Sequence, residues 1–158
     1  MAYDTEQLMQ RLQKLCLSLT TDEQASRGWH SELVIRQEQL LDVARILLEA
    51  GFSLGFITAI HLSPSCELVY QFVRWEDGYR VLVRFPAALQ EPVPSLASQY
   101  QGAAWHEREI YDFFGITFAG HPGLKPLLLT RDEKGLNPLL KQAAAVKERA
   151  EIFSEHTT

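Results

Sequence analysis

The chain reads as an α+β protein, a largely antiparallel four-stranded sheet with helices packed on one face. Three observations predict this. Apolar residues recur at helical spacing over Gln37 to Ala50, where Leu40, Val43, Leu47 and Leu48 form one stripe before the stop at Gly51. Three β-type runs follow at close spacing, 54–62, 67–75 and 79–85, and the short breaks Ser63-Pro64-Ser65 and Glu76-Asp77-Gly78 favour antiparallel neighbours. A segment dense in charge and aromatic rings, Trp105 to Ile116, then stops at Gly115.

Taken in order, residues 5–19 predict a helix capped at Thr5, with Leu8, Leu12, Leu15 and Leu19 on one side. Residues 20–28 read as a polar connection. His30 to Arg36, with Leu33-Val34-Ile35, reads as the first strand. In the second β run Leu68, Tyr70 and Phe72 alternate with Val69, Gln71 and Val73; in the third, Val81, Val83 and Phe85 alternate with Arg80, Leu82 and Arg84. Three prolines hold open a loop over 86–94, Ser95 is placed to cap a helix over 96–114, and an extended segment runs on to Leu129. A polar turn over 130–138 leads to a last helix over 139–153. The expected organisation is one domain over 1–129 and a C-terminal tail over 130–158.

Composition narrows the function. With 158 residues, 46% hydrophobic and 22% charged, the chain has enough apolar material for one core without staples. A net charge of −5 with scattered Lys and Arg argues against binding to nucleic-acid phosphates. Cys16 and Cys66 are far apart and form no CxxC, which speaks against a disulfide framework and suits a reducing compartment. No apolar run reaches the length of a membrane span, and the start lacks a basic region before an apolar one, so neither a membrane helix nor a signal peptide is expected. No glycine cradle for a nucleotide occurs.

On a helical wheel at about 100° per residue, Ala103, Ile110 and Phe114 share an arc, flanked by His106, Phe113 and Tyr111. Glu107 falls inside that arc, where a lone carboxylate must find a partner or keep its proton. It is therefore expected to hydrogen-bond a loop or a basic residue from elsewhere. Trp105, Arg108, Glu109 and Asp112 occupy the other half, and Arg108 and Asp112, four apart, are placed to pair. A tryptophan on a charged half suggests that the half is covered, by the chain's own C-terminal segment or by another protein. The same Glu-Arg-Glu run is also common on plain solvated helices. A small hydrolase using Glu107 and His106 as acid and base is a further possibility, although no nucleophile joins them. A His-Glu-x-x-His zinc site fails because Ile110 stands at the fifth position, and His121, between Gly120 and Pro122, reads as a turn residue bonding to backbone.

The stretch Glu107-Arg108-Glu109, Asp112-Phe113-Phe114, His121, then Lys125 with Leu127-Leu128, fills every position of a known signature. With Gly115-Ile116, Phe118, Gly120-His121-Pro122 and Pro94-Ser95-Leu96, it resembles the 30-kDa subunit family of respiratory complex I, the C subunit of NADH–quinone oxidoreductase, over roughly residues 30–130. The resemblance implies a non-catalytic structural subunit in the hydrophilic arm of an ion-translocating complex. In that family Trp105, Glu107, Arg108, Glu109, Asp112, Phe113, Phe114, Gly115, His121, Pro122 and Lys125 would be signature and partner-contact positions. The partner would be the large, 49-kDa-like quinone-site subunit, beside other hydrophilic-arm subunits. FMN, iron–sulfur clusters and quinone would lie in partner chains, with no catalytic, cofactor or metal residue in this one. The complex would sit peripherally on the cytoplasmic side of the cell membrane. The same family includes the matching subunit of membrane-bound energy-converting [NiFe] hydrogenases, whose nickel–iron centre would likewise lie in a partner. Lys125-Pro126 stands where the family usually has two arginines, and Thr58-Ala59-Ile60-His61 where it often has an acidic residue. These departures leave that alternative open.

Overall fold

The computed structural model describes residues 4–22, 24–62, 65–133 and 135–141. The protein is α+β, as the alternation and helical stripes predict, but its sheet is mixed and has five strands in the order β1-β2-β5-β4-β3. These are β1 (Ser18–Thr21), β2 (Ser31–Val34), β3 (Ser53–His61), β4 (Cys66–Arg74) and β5 (Tyr79–Ala87). β3, β4 and β5 form the expected antiparallel meander. β2 joins β5 in parallel, with Leu33 beside Val83, and β1 then pairs antiparallel with β2. Two differences from the expected sheet have plain causes. Between β2 and β5 the chain passes through a helix and two other strands, a crossover long enough for parallel pairing. Ser18-Leu19-Thr20-Thr21 has only one large apolar residue, so nothing in its pattern marks it as an edge strand.

Helix α1 (Thr5–Gln13) is shorter than the leucine spacing suggests, because residues 15 and 19 pack from outside the helix. Its cap is Asp4, whose carboxylate accepts the Glu6 N–H at 3.0 Å; Thr5 is the first helical residue. A short 3₁₀ turn, Gln37–Gln39, leads into α2 (Leu40–Glu49), whose Leu40, Val43, Ala44 and Leu47 are buried. Both helices contribute to one continuous core with Leu33, Leu68, Tyr70, Phe72, Val81, Val83 and Phe85 from the sheet. Pro86 closes β5 beyond the stretch paired with β2, where a missing N–H breaks no ladder bond to that strand.

After β5, a two-residue strand β6 (Val93–Pro94) pairs in parallel with β7 (Phe118–Ala119), bringing the two ends of the intervening loop and helix together. Between them α3 runs from Ala103 to Phe114, not from residue 96. Residues 97–102 form turns, and Ser95 starts no helix, because its hydroxyl is taken up by a turn and a buried carboxylate. Gly115 ends α3 with φ +73°, its N–H bonded to the Tyr111 carbonyl. The expected helix over 139–153 meets the described residues only at 139–141, which are not helical; the rest of that range lies outside them. Cys16 and Cys66 are both free, and burial pushes the Cys66 thiol up to about 11.

Candidate functional site

The inner side of α3 carries the wheel's anomaly. Glu107 is 0% exposed. Its Oε1 accepts the Leu96 N–H at 2.7 Å and its Oε2 accepts the Ser95 hydroxyl at 2.6 Å. Ser95 Oγ in turn accepts the Ala97 N–H at 3.1 Å, closing a tight turn in place of the expected helix cap. In sequence Ser95 looks like a cap, since it follows Pro94 and precedes an apolar run. Burial raises the Glu107 carboxyl above its ordinary value, against the pull of Ser95, Leu96 and His121. The expectation of a loop partner for Glu107 holds. The hydrolase reading loses its acid, because a carboxylate sealed from solvent and bonded at both oxygens has no face for a substrate.

His121 does what a turn residue does. Its Nδ1 accepts the Gly123 N–H at 2.9 Å, so the proton sits on Nε2, which donates to the Ala104 carbonyl at 3.0 Å. The same Nε2 lies 4.0 Å from Glu107 Oε2. His121 thereby ties the segment after β7 to the first turn of α3. His106 is half-buried and Glu109 exposed; neither joins Glu107 in a constellation.

The outer side of α3 holds a second carboxylate in a different way. Asp112 is 4% exposed. Its Oδ2 accepts three successive backbone N–H groups, from Leu127 at 2.8 Å, Leu128 at 2.7 Å and Leu129 at 3.0 Å. Burial pulls its proton affinity up, but the three amides and the nearby Arg108 outweigh burial and hold the carboxyl below its ordinary value. Arg108, one turn earlier, serves the other polarity of the same segment. Its Nε and Nη2 donate to the carbonyls of Lys125 and Pro126 at 3.1 and 2.8 Å. The expected Arg108–Asp112 pair is not formed: each side chain bonds backbone instead, and together they clamp 125–129.

The chain's own segment covers only part of the charged half, at Arg108 and Asp112, and leaves Trp105 and Glu109 uncovered. Trp105, under the Arg108 guanidinium at 5.2 Å, nevertheless stays 62% exposed, and Leu128 is 63% exposed on the clamped segment. Leu139, whose N–H donates to the Phe113 carbonyl at 3.1 Å, and Leu136 are also exposed. Phe113 is half-buried and Phe114 buried against the core, while Pro122 and Lys125 face solvent. Behind Gly115 the Asn137 amide comes so close that an added Cβ would lie 2.8 Å from its nitrogen. A cleft lined by Tyr111, Asp112, Gly115, Gly135 and Asn137 opens there, but its carboxylate is already committed to the three amides. Among the described residues no group of three or more His, Cys, Asp or Glu side chains is placed to hold a metal. Among them, too, no helix is long and apolar enough to cross a membrane.

The class defined by this geometry is an α+β domain whose conspicuous charged helix serves the chain's own backbone. The family model for "Respiratory-chain NADH dehydrogenase, 30 Kd subunit" matches residues 33–149, and the chain belongs to that family. It is 34% identical to the C subunit of NADH-quinone oxidoreductase from Roseiflexus castenholzii over 149 residues, covering 89% of this chain and 84% of that one. A shorter match, 42% identical over 62 residues, covers 39% of this chain and 22% of the mitochondrial NADH-ubiquinone oxidoreductase 30.4 kDa subunit of Neurospora crassa. The fold is shared with a chain in the structure of the membrane-bound sulfane sulfur reductase, an archaeal respiratory membrane complex. That match has a TM-score of 0.72 and 24% identity, and covers 98% of this chain and 92% of the other.

Proposed function

We propose that this chain is a non-catalytic structural subunit of the hydrophilic arm of a complex I-type NADH:quinone oxidoreductase, and that it binds the large quinone-site subunit through the outer side of α3 and the segment clamped to it. Family membership supports the class of complex. The observation that carries the role is the clamp itself. Arg108 and Asp112 satisfy both carbonyls and amides of 125–129 without any strand pairing there, and Leu128 and Trp105 are held out to solvent on that fixed frame. Holding large apolar side chains in water is unfavourable in isolation and becomes favourable when a partner covers them.

Under this reading the mechanism is positional. FMN, iron–sulfur clusters and quinone belong to partner subunits, and this chain fixes the geometry of the large one. It sits peripherally on the cytoplasmic side of the membrane through the complex. Trp105, Pro122 and Lys125 are the signature side chains placed to touch the partner. Glu107, Asp112, Gly115 and His121 act from behind them.

One second reading keeps the scaffold and changes the complex, to a membrane-bound energy-converting [NiFe] hydrogenase. Lys125-Pro126, where the family usually carries two arginines, favours keeping it. Affinity purification of the tagged chain from its own cells tests both. A co-purifying large subunit without metal-binding Cys pairs supports the quinone-linked reading. A large subunit with two such pairs assigns the chain to a hydrogenase, and a chain that purifies alone contradicts both.

A further inference from the structure

The two edges of the five-stranded sheet are treated differently. β3, at one edge, packs against α3, and its pairing with β4 shifts register between Leu54 and Phe56. A covered and irregular edge is a poor template for another strand. β1, at the other edge, has no strand beyond it among the described residues. Ser18, Thr20 and Thr21 are exposed there, and the strand carries no proline and no charge to repel a neighbour.

The unpaired groups of that edge can be named. Residues of an antiparallel strand bond alternately to one side and to the other. The Asp22 N–H donates to the His30 carbonyl at 2.7 Å, which continues the ladder in which Ser18 and Thr20 bond toward β2. The N–H and C=O groups of Leu19 and Thr21 therefore point to the open edge, where they form a template for one further strand.

The surface beside the edge specifies what that strand carries. A cleft lined by Thr20, Thr21, Arg27 and Trp29 runs along it. Asp22 and Glu32 line it too, but their carboxylates are spent. Asp22 accepts the Gln24 and Ser26 N–H groups and the Ser26 hydroxyl, and Glu32 is paired with Arg84. Arg27 lies near Asp22 but is exposed and forms no ion pair among the described residues. At the other end of β1, Leu17 is 55% exposed.

We propose that the open edge of β1 receives an extended segment of a neighbouring subunit as a further strand, with an acidic side chain on Arg27 beside Trp29 and an apolar one over Leu17. The backbone groups of Leu19 and Thr21 supply few bonds by themselves, so the charge at one end and the apolar contact at the other set the register. A second copy of this chain fits less well, because β1 has no carboxylate of its own and Asp22 is spent. This surface is separate from the outer side of α3 and does not depend on which subunit meets that helix.

Amide exchange over residues 17–22 tests this, measured on the purified chain and on the complex isolated from its own cells. Ser18, Thr20 and Asp22 should be slow in both. Leu19 and Thr21 should exchange freely in the chain alone and slow by about tenfold or more in the complex. Thr21→Pro removes an N–H that β2 does not use, so the variant should keep the parent's urea midpoint and lose the slowing at Leu19. Should it not fold, Arg27→Glu, an exposed change outside the strand, should lose the same slowing. Carbodiimide coupling of the Arg27→Lys complex identifies the occupant, and the expected product joins position 27 to a carboxylate of a different subunit. Unchanged exchange at Leu19 and Thr21 on assembly, slowing that survives both Thr21→Pro and Arg27→Glu, or a link only to a second copy overturns the proposal.

Discussion

Helix α3 carries two buried carboxylates five residues apart, and the protein treats them in opposite ways. Glu107 faces the core and meets one hydroxyl and one amide; burial wins, and its proton affinity rises. Asp112 faces outward under the segment 127–129 and meets three amides on one oxygen; the amides win, and its proton affinity falls. The sign follows from the balance between burial and the donors and charges set against it. Burial is the heavier weight on Glu107, whereas at Asp112 three amides and the Arg108 charge outweigh it, and in both cases the donors come from loops that need an anchor. The inner carboxylate fixes the entry to the helix, and the outer one fixes the chain that returns along it.

The largest expected effect comes from breaking the inner side. Glu107→Ala leaves the Leu96 amide and Ser95 hydroxyl without their acceptor and opens a cavity, and should cost about 2–4 kcal/mol in urea unfolding of the purified chain. Gly115→Ala tests the joint between the two sides. A side chain at φ +73° is strained and would meet Asn137 at 2.8 Å, so a loss of about 1–3 kcal/mol is expected by the same measurement.

The pH dependence separates the carboxylates by sign. Asp112 has a lowered folded value, so its contribution is present above the unfolded value of about 3.9 and is lost as pH falls through the folded one. Glu107 has a raised folded value, so the stability linked to its proton is complete below the unfolded value of about 4.3 and is lost as pH rises through the folded one. Urea midpoints measured across this range should show Asp112→Asn flattening the acid limb and Glu107→Gln flattening the limb above it. Equal slopes in parent and variants would show that the two sites are not distinguished in this way.

Arg108→Lys is a smaller break. A lysine has no fork to reach two successive carbonyls, so amide exchange over 127–129 should accelerate while global stability falls by about 0.5–1.5 kcal/mol.

Much of this was legible in the sequence. The apolar runs of β4 and β5 are legible as strands, although β4 is buried on both faces. The stripe on α2 reports burial at Leu40, Val43 and Leu47 but not at exposed Leu48, and the wheel places Glu107 on the inner side because side-chain direction in a helix follows from residue count alone. What escaped was carried by backbone or by distant pairing. The amides of 127–129 have no side-chain signature, so Asp112 looked like a partner for Arg108. Ser95 has the chemistry of a helix cap and uses it for a turn and a carboxylate. The parallel pairing of β2 with β5 is fixed by packing across a long crossover, which local periodicity does not record.

Whether α3 is a frame for a docking surface is tested most directly by Leu128→Asp. The Leu128 side chain is exposed, and the residue is held through its backbone amide, so the isolated variant should unfold within about 0.5 kcal/mol of the parent. In cells, the tagged variant should lose co-purification of the large subunit that the parent retains. A variant that is as stable as the parent and still brings down the large subunit in full yield would contradict a docking role for this face.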